Sequence, residues 1–362
     1  MTMSKSEALF ASYIKRGHFG LLDGLRFICI VMVLWHHSSL RESFDLLLLQ
    51  RGFLGVDFFF VLSGFLITTL LLREEKRHGD FSLGNFYLRR LIRIVPIYFF
   101  VVSSVSFYFI VLKKQYELIE LLPFYYLFLS NFLIDHIPLL TITWSLSVEE
   151  QYYLLWPLLL LILPRYLIIP ALIVFIIVNV LSGVGVILGG AFEIWPLAIG
   201  MPNSTYAPIL LGSLSAILLN SKKTFLVFAS FLNQRFAALF VLCVLVGLMY
   251  FLPPDIRGLP NLAIHIFMTI FIMSIVINEE NILSFILKNK LIARVGMVSY
   301  GIYLYHLIAL DISTRTFSHL GLENNWLILI GYVLMSWLMA EVSFRTLERF
   351  FQRFKPYRSS QS

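Results

Sequence analysis

Long apolar runs alternate with short polar joints along almost the whole chain, and in the first run two kinds of polar residue sit where that pattern should exclude them. Leu22 to His37, LDGLRFICIVMVLWHH, is apolar enough to lie in a membrane, yet it carries Arg26 near one end and His36 and His37 at the other. An ionisable side chain inside a hydrocarbon layer costs at least a few kcal/mol. Arg26 and His37 are eleven residues apart, so a helix sets them within about 20° of one face and roughly 16 Å apart along its axis. His36 falls about 80° off that line. The pattern is one polar stripe running through a membrane helix.

Ten runs have the length and apolarity to cross a bilayer: 21–40, 53–72, 94–112, 147–163, 166–188, 206–220, 236–252, 261–277, 296–313 and 325–344. They predict an all-α, polytopic membrane helix bundle of about ten transmembrane helices. An eleventh candidate, 117–135, is interrupted by Pro123 and flanked by Glu117, Glu120 and Asp135. Charge decides its status. If 117–146 does not cross, one side keeps only Arg41, Arg51, Lys113, Lys114, Arg257 and Arg315, and the other holds 22 of the 28 Lys and Arg. Were 117–135 to cross, every later loop would invert and the bias would vanish. The expectation is therefore a partly buried external segment at 117–146, with both termini cytoplasmic.

Composition agrees. The chain is 59% hydrophobic and 14% charged, against about 25% charged in a soluble domain. The net charge of +7 is accounted for by the basic side of the membrane, and it implies no nucleic-acid partner. Cys29 and Cys243 both lie in apolar runs and imply no disulfide framework. The first run has no small-residue cleavage site and reads as a retained span. The expected organisation is one membrane domain over 1–345 and a short basic cytoplasmic tail at 346–362, with no soluble C-terminal domain. The loop 189–205, rich in Gly, Pro and aromatics, is either a border of a substrate entrance or a plain connector.

Four further stretches carry polar residues into apolar surroundings. Gly52 to Ile67 places Asp57 near the outer end of the second span, with Ser63 and Gly64 at its middle. The small pair suits a close helix contact, whereas an intramembrane carboxylate pairs with a cation or works on a substrate. Phe86 to Tyr98 carries Arg90 and Arg93 three apart on one helix face, ready to grip one anion, although a basic cluster beside anionic lipid reads similarly. Thr143 to Tyr153 opens a span with Ser145, Ser147, Glu149 and Glu150, either a helix cap or a carboxylate at the level of His37. A carboxylate beside a histidine fixes its tautomer and raises its basicity. Ser299 to His306 brings Tyr300 and His306 into the ninth span, where a lone histidine is more often packed than catalytic. No His/Cys spacing suggests a metal, and no Gly-rich loop precedes a Lys-Ser/Thr pair.

Together these stretches resemble the acyltransferase-3 family of membrane acyltransferases, which modify cell-surface glycans and small molecules. Its Arg-ten-His signature falls on Arg26 and His37, and its FFxxSG motif on Phe59 to Gly64. RxxR falls on Arg90 and Arg93, SLSVEEQ on 145–151, and SYxxYLxH on Ser299 to His306. The resemblance implies transfer of an acyl group, commonly acetyl, from cytoplasmic acyl-CoA to a hydroxyl of an extracytoplasmic glycan or lipid-linked saccharide. No bound cofactor is implied; acyl-CoA is a co-substrate. The setting implied is the inner membrane of a bacterium, with a partner acyl-handling protein left open. In this reading His37 is the general base or a transient acyl carrier, Glu149 orients it, and Arg26 holds the donor or developing charge. Arg90 and Arg93 meet the donor phosphates, while Asp57, Ser63, Glu150, Tyr300 and His306 are substrate-facing or structural. A transporter or flippase is the competing class, since a polar stripe also suits passage of a solute.

Overall fold

The computed structural model describes residues 5–187, 192–194, 196–199 and 206–354. All ten apolar runs are helical. The helices of eight residues or more are α1 (Lys5–Lys15), α2 (Gly20–His37), α3 (Leu54–His78), α4 (Leu83–Ser106), α5 (Thr143–Ile162), α6 (Arg165–Gly183), α7 (Tyr206–Asn220), α8 (Lys222–Leu232), α9 (Ala237–Phe251), α10 (Leu259–Ile277), α11 (Lys290–Met297), α12 (Ser299–His319) and α13 (Asn325–Ser343). Six of them, some extended by a further turn, have the length and composition to cross a membrane: α2, α3, α4, α6, α10 and α13. Two more join that set only as bent pairs, α7 with α8 at 104° and α11 with α12 at 72°. The count is thus six to eight by this measure, not the ten expected. The shortfall has a physical cause. Helix α9 has only 15 residues, and α5 carries Glu149, Glu150 and Gln151 in its second turn and Pro157 further along.

The stretch 116–142 contains no helix long enough to cross. It forms single helical turns at Tyr116–Leu121, Leu122–Tyr126 and Ser130–Phe132, with Phe128 and Leu139 at positive φ. Leu121, Tyr125, Ile137 and Leu140 are buried, so it tucks into the bundle. Irregular backbone at that depth requires such cover. Most of 189–205 lies outside the described residues; Phe192–Ile194 and Leu197–Ile199 pair as antiparallel strands, Phe192 opposite Ile199. The tail beyond Phe354 also lies outside them.

Helix α3 is the most enclosed of the long helices, and glycines set its approach to its neighbours. A Cβ on Gly64 would meet the Ile209 carbonyl of α7, and one on Gly212 the Val61 carbonyl of α3. This is the small-residue contact expected at Ser63-Gly64. At the start of α3, a Cβ on Gly52 or Gly55 would strike the backbone of α2 at Met32 and Cys29, so α2 and α3 run close where His36 and Asp57 lie. Helix α11 lies against the start of α2, where Gly296 faces the backbone of Asp23.

Ion pairs show which joints share an end. Lys222 meets Glu7 at 2.6 Å, Arg89 meets Glu74 at 2.9 Å, and Arg294 meets Glu341 at 2.7 Å. Arg16 pairs with Glu279, Arg165 with Glu75, and Arg73 donates to the Arg16 carbonyl. Exposed pairs add little stability, but together they gather the joints α1–α2, α3–α4, α5–α6, α7–α8 and α10–α11 with the end of α13 on one face. Those are the joints the charge count assigned to one side. At the opposite end, Arg51 is fully buried and donates to the carbonyls of Met249 and Leu252 at 2.8 Å, and also to that of Pro253, anchoring the loop after α9.

Candidate active site

At the end away from the basic joints, α2 finishes in His36 and His37. The Nδ1 of His37 is 3.0 Å from the Val33 carbonyl. A carbonyl only accepts, so in the neutral ring Nδ1 carries the proton and Nε2 keeps its lone pair. The His306 ring stands 4.8 Å from that of His37, at 66°. It is held the same way, Nδ1 to the Tyr303 carbonyl at 2.6 Å, and its buried Nε2 has no partner among the described residues. Tyr303 in turn shares a 2.6 Å hydrogen bond with Ser145 in the first turn of α5. The His36 ring lies 5.1 Å from His37, so both histidines reach the same place although they leave the helix in different directions.

They open on a cavity of about 480 Å³, whose lining includes His36, His37, Asp57, Trp144, Asn261 and Tyr303. Asp255 and Arg257 form an exposed ion pair on its rim. Hydrogen bonds from the Arg257 guanidinium hold the Asp255 carboxyl down to about 2, so the rim stays charged at neutral pH. Asp57 does have a partner, as an intramembrane carboxylate should: its Oδ2 lies 3.0 Å from Nε2 of His265, and both residues are buried. His265 belongs to no motif and was missed. The available signal was the one that marked His306, an ionisable residue within an apolar run.

The second group sits deeper, around α5. Ser63 donates to Glu149 Oε1 at 2.9 Å, and the Tyr153 hydroxyl reaches Ser63 at 3.0 Å and Glu149 Oε2 at 3.2 Å. The Arg90 guanidinium lies 5.4 Å from the centre of the Tyr153 ring. Arg26 pairs with Asp23 at 2.7 Å and is within electrostatic reach of Arg90, Arg93 and Glu149, with Glu150 beside Arg90. Arg90 is half-buried and Arg93 exposed. Tyr300 hydrogen-bonds the Ile94 carbonyl of α4 at 3.4 Å.

This arrangement corrects one expectation. Glu149 is bonded to Ser63 and Tyr153, not to His37. Helix α5 starts at Thr143, about a turn before the apolar run, so Ser145 and Trp144 occupy the level of His37. Glu149 stands about 6 Å further in than Ser145. The structure thus separates the expected site into two groups: His37 and Asp57 on the cavity with His306 packed against His37, and Ser63, Glu149, Glu150, Arg26, Arg90, Arg93 and Tyr300 towards the basic end. Among the described residues no cluster of three or more His, Cys, Asp or Glu could hold a metal ion.

A largely helical bundle with long apolar helices, a histidine pair at one end and arginines at the other defines the class of multi-pass membrane proteins. The family model described as "Acyltransferase domain" matches residues 19–340, and the chain belongs to that family, acyltransferase-3. Among its curated relatives, the peptidoglycan O-acetyltransferase OatA of Listeria monocytogenes is 25% identical over 90% of this chain and 54% of its own length. The O-acetyltransferase OatA of Staphylococcus aureus is 28% identical over 90% of this chain and 56% of its own length. The chain therefore spans about half the length of these relatives. No solved structure matches it.

Proposed function

We propose that the chain is an integral membrane O-acyltransferase that moves an acyl group, in the simplest case acetyl, from acyl-CoA to a hydroxyl of an extracytoplasmic glycan. The observation that carries this reading is His37: its Nδ1 is engaged by Val33, and its ring borders an open cavity at the end of α2 opposite Arg26. Nε2 accepts the proton of the acceptor hydroxyl as the oxygen attacks the thioester carbonyl. The carbon–sulfur bond then breaks, and the proton leaves with the CoA thiolate. Arg90 and Arg93, within reach of Arg26, bind the donor phosphates from the basic, cytoplasmic side, and Arg26 adds its positive charge to that donor-holding end. The Ser63–Glu149–Tyr153 group lies between the two ends and lines the route of the acyl chain. The relatives' names support acetyl as the group and a cell-wall sugar as the acceptor. The charge distribution supports a bacterial cytoplasmic membrane with both termini inside.

His37→Ala in the full chain should abolish transfer of radiolabelled acetyl from acetyl-CoA to peptidoglycan or O-antigen fragments while the protein still inserts and melts as wild type. Full activity in that variant sinks the assignment. Movement of a labelled solute without CoA release would instead identify a transporter.

A further inference from the structure

The buried pair of His265 and Asp57 is not used by this mechanism, yet Asp57 lines the same cavity as His37. Nε2 of His265 donates to Oδ2 of Asp57 at 3.0 Å, and the side chains are only 2% and 6% exposed. Asp57 also lines the cavity, and among the described residues its other carboxylate oxygen has no protein partner. Nδ1 of His265 is buried, and among the described residues it has no hydrogen-bond partner. A residue serving packing alone would not leave a nitrogen stranded; a leucine would fill the place at less cost. One turn earlier on α10, Asn261 faces the same cavity, and its Oδ1 is likewise buried and without a partner among the described residues. Trp144 supplies an aromatic face nearby. Acceptors and an aromatic surface in a cavity of mixed polar and apolar lining suit a molecule with hydroxyl groups and an apolar ring face.

We propose that His265 is a positioning residue that holds the Asp57 carboxylate against the cavity, where its free oxygen receives one hydroxyl of a saccharide acceptor and so selects which neighbouring hydroxyl stands at His37. Asp57 is the group that touches the acceptor; His265 acts through it. The assignment of the cavity to the acceptor rests on the function proposed above. The selection does not require His265 to change protonation, because the hydrogen bond alone fixes the carboxylate.

The test uses the full chain in detergent with N-acetylglucosamine tetrasaccharide as probe. Wild type should bind it, and His265→Leu and Asp57→Asn should bind about tenfold more weakly. His265→Gln, which keeps a donor near the Nε2 position, should restore binding to within about threefold of wild type. In transfer assays, His265→Leu should raise the acceptor KM by about tenfold and leave the acetyl-CoA KM unchanged. Undiminished binding by His265→Leu, failure of His265→Gln to recover, or no binding by wild type overturns the subsite. If wild type binds the saccharide but transfers nothing to it, the subsite stands and the acyltransferase reading fails.

Discussion

His37 and His306 owe their chemistry to two backbone carbonyls. Each ring gives its Nδ1 to a carbonyl three or four residues back on its own helix, Tyr303 or Val33. Such bonds are available to any histidine on a helix that lies back along it. What distinguishes this pair is that the rings then meet at 4.8 Å, although the residues are far apart in sequence. The arginines divide by exposure. Arg26 is committed to Asp23 and Arg90 to the Tyr153 face, which leaves Arg93 the most accessible cation of the group. Arg93→Ala should therefore raise the acetyl-CoA KM by about tenfold and leave the acceptor KM near wild type, as steady-state kinetics with each substrate varied would show. A shift confined to the acceptor KM would remove Arg93 from the donor side.

At the level of elements, close backbone approach fixes where the site residues end up. Gly296 sets α11 against the first turns of α2, and a Cβ there would meet the Asp23 carbonyl. Gly296→Val forces the helices apart and should destabilise the protein by roughly 1–3 kcal/mol, read as a lower melting temperature in detergent. Gly20→Ala, where a Cβ would meet nothing within 4 Å, is the control and should melt like wild type. Equal melting of both variants would mean that the α2–α11 crossing is not a tight one. Element boundaries also explain the misplaced carboxylate. The apolar run locates α5, but its start at Thr143 is fixed by tertiary bonds, Thr143 to Ser130 at 2.9 Å and Ser145 to Tyr303 at 2.6 Å. Hydropathy is blind to a polar first turn that the fold buries.

Across the whole molecule the charges divide by end. The Lys222, Arg165, Arg89 and Arg294 joints meet through ion pairs on one face, whereas Arg51, Arg257 and the His37 cavity lie at the other. In a variant with Cys29 and Cys243 replaced, a single cysteine at Arg257 should react with an impermeant maleimide in intact cells. One at Lys223 should react only after permeabilisation. The reverse pattern would invert the orientation and put Arg90 and Arg93 on the outside.

The sequence by itself determined what local patterns can encode. Apolar runs set the helices, the Lys and Arg count set which joints belong together, and the Arg26–His37 spacing set a polar stripe with two unlike ends. It also marked Asp57, Ser63, Arg90, Glu149 and His306 as costly residues needing partners. Tertiary structure alone decided who the partners are. Asp57 meets His265 from 208 residues away, Ser63 meets Glu149 across 86, and His37 finds His306 rather than Glu149. Hydropathy and charge act on each segment separately, so they place a helix in the membrane. They say nothing of its rotation or depth against its neighbours, and a change of one turn in either exchanges one polar partner for another.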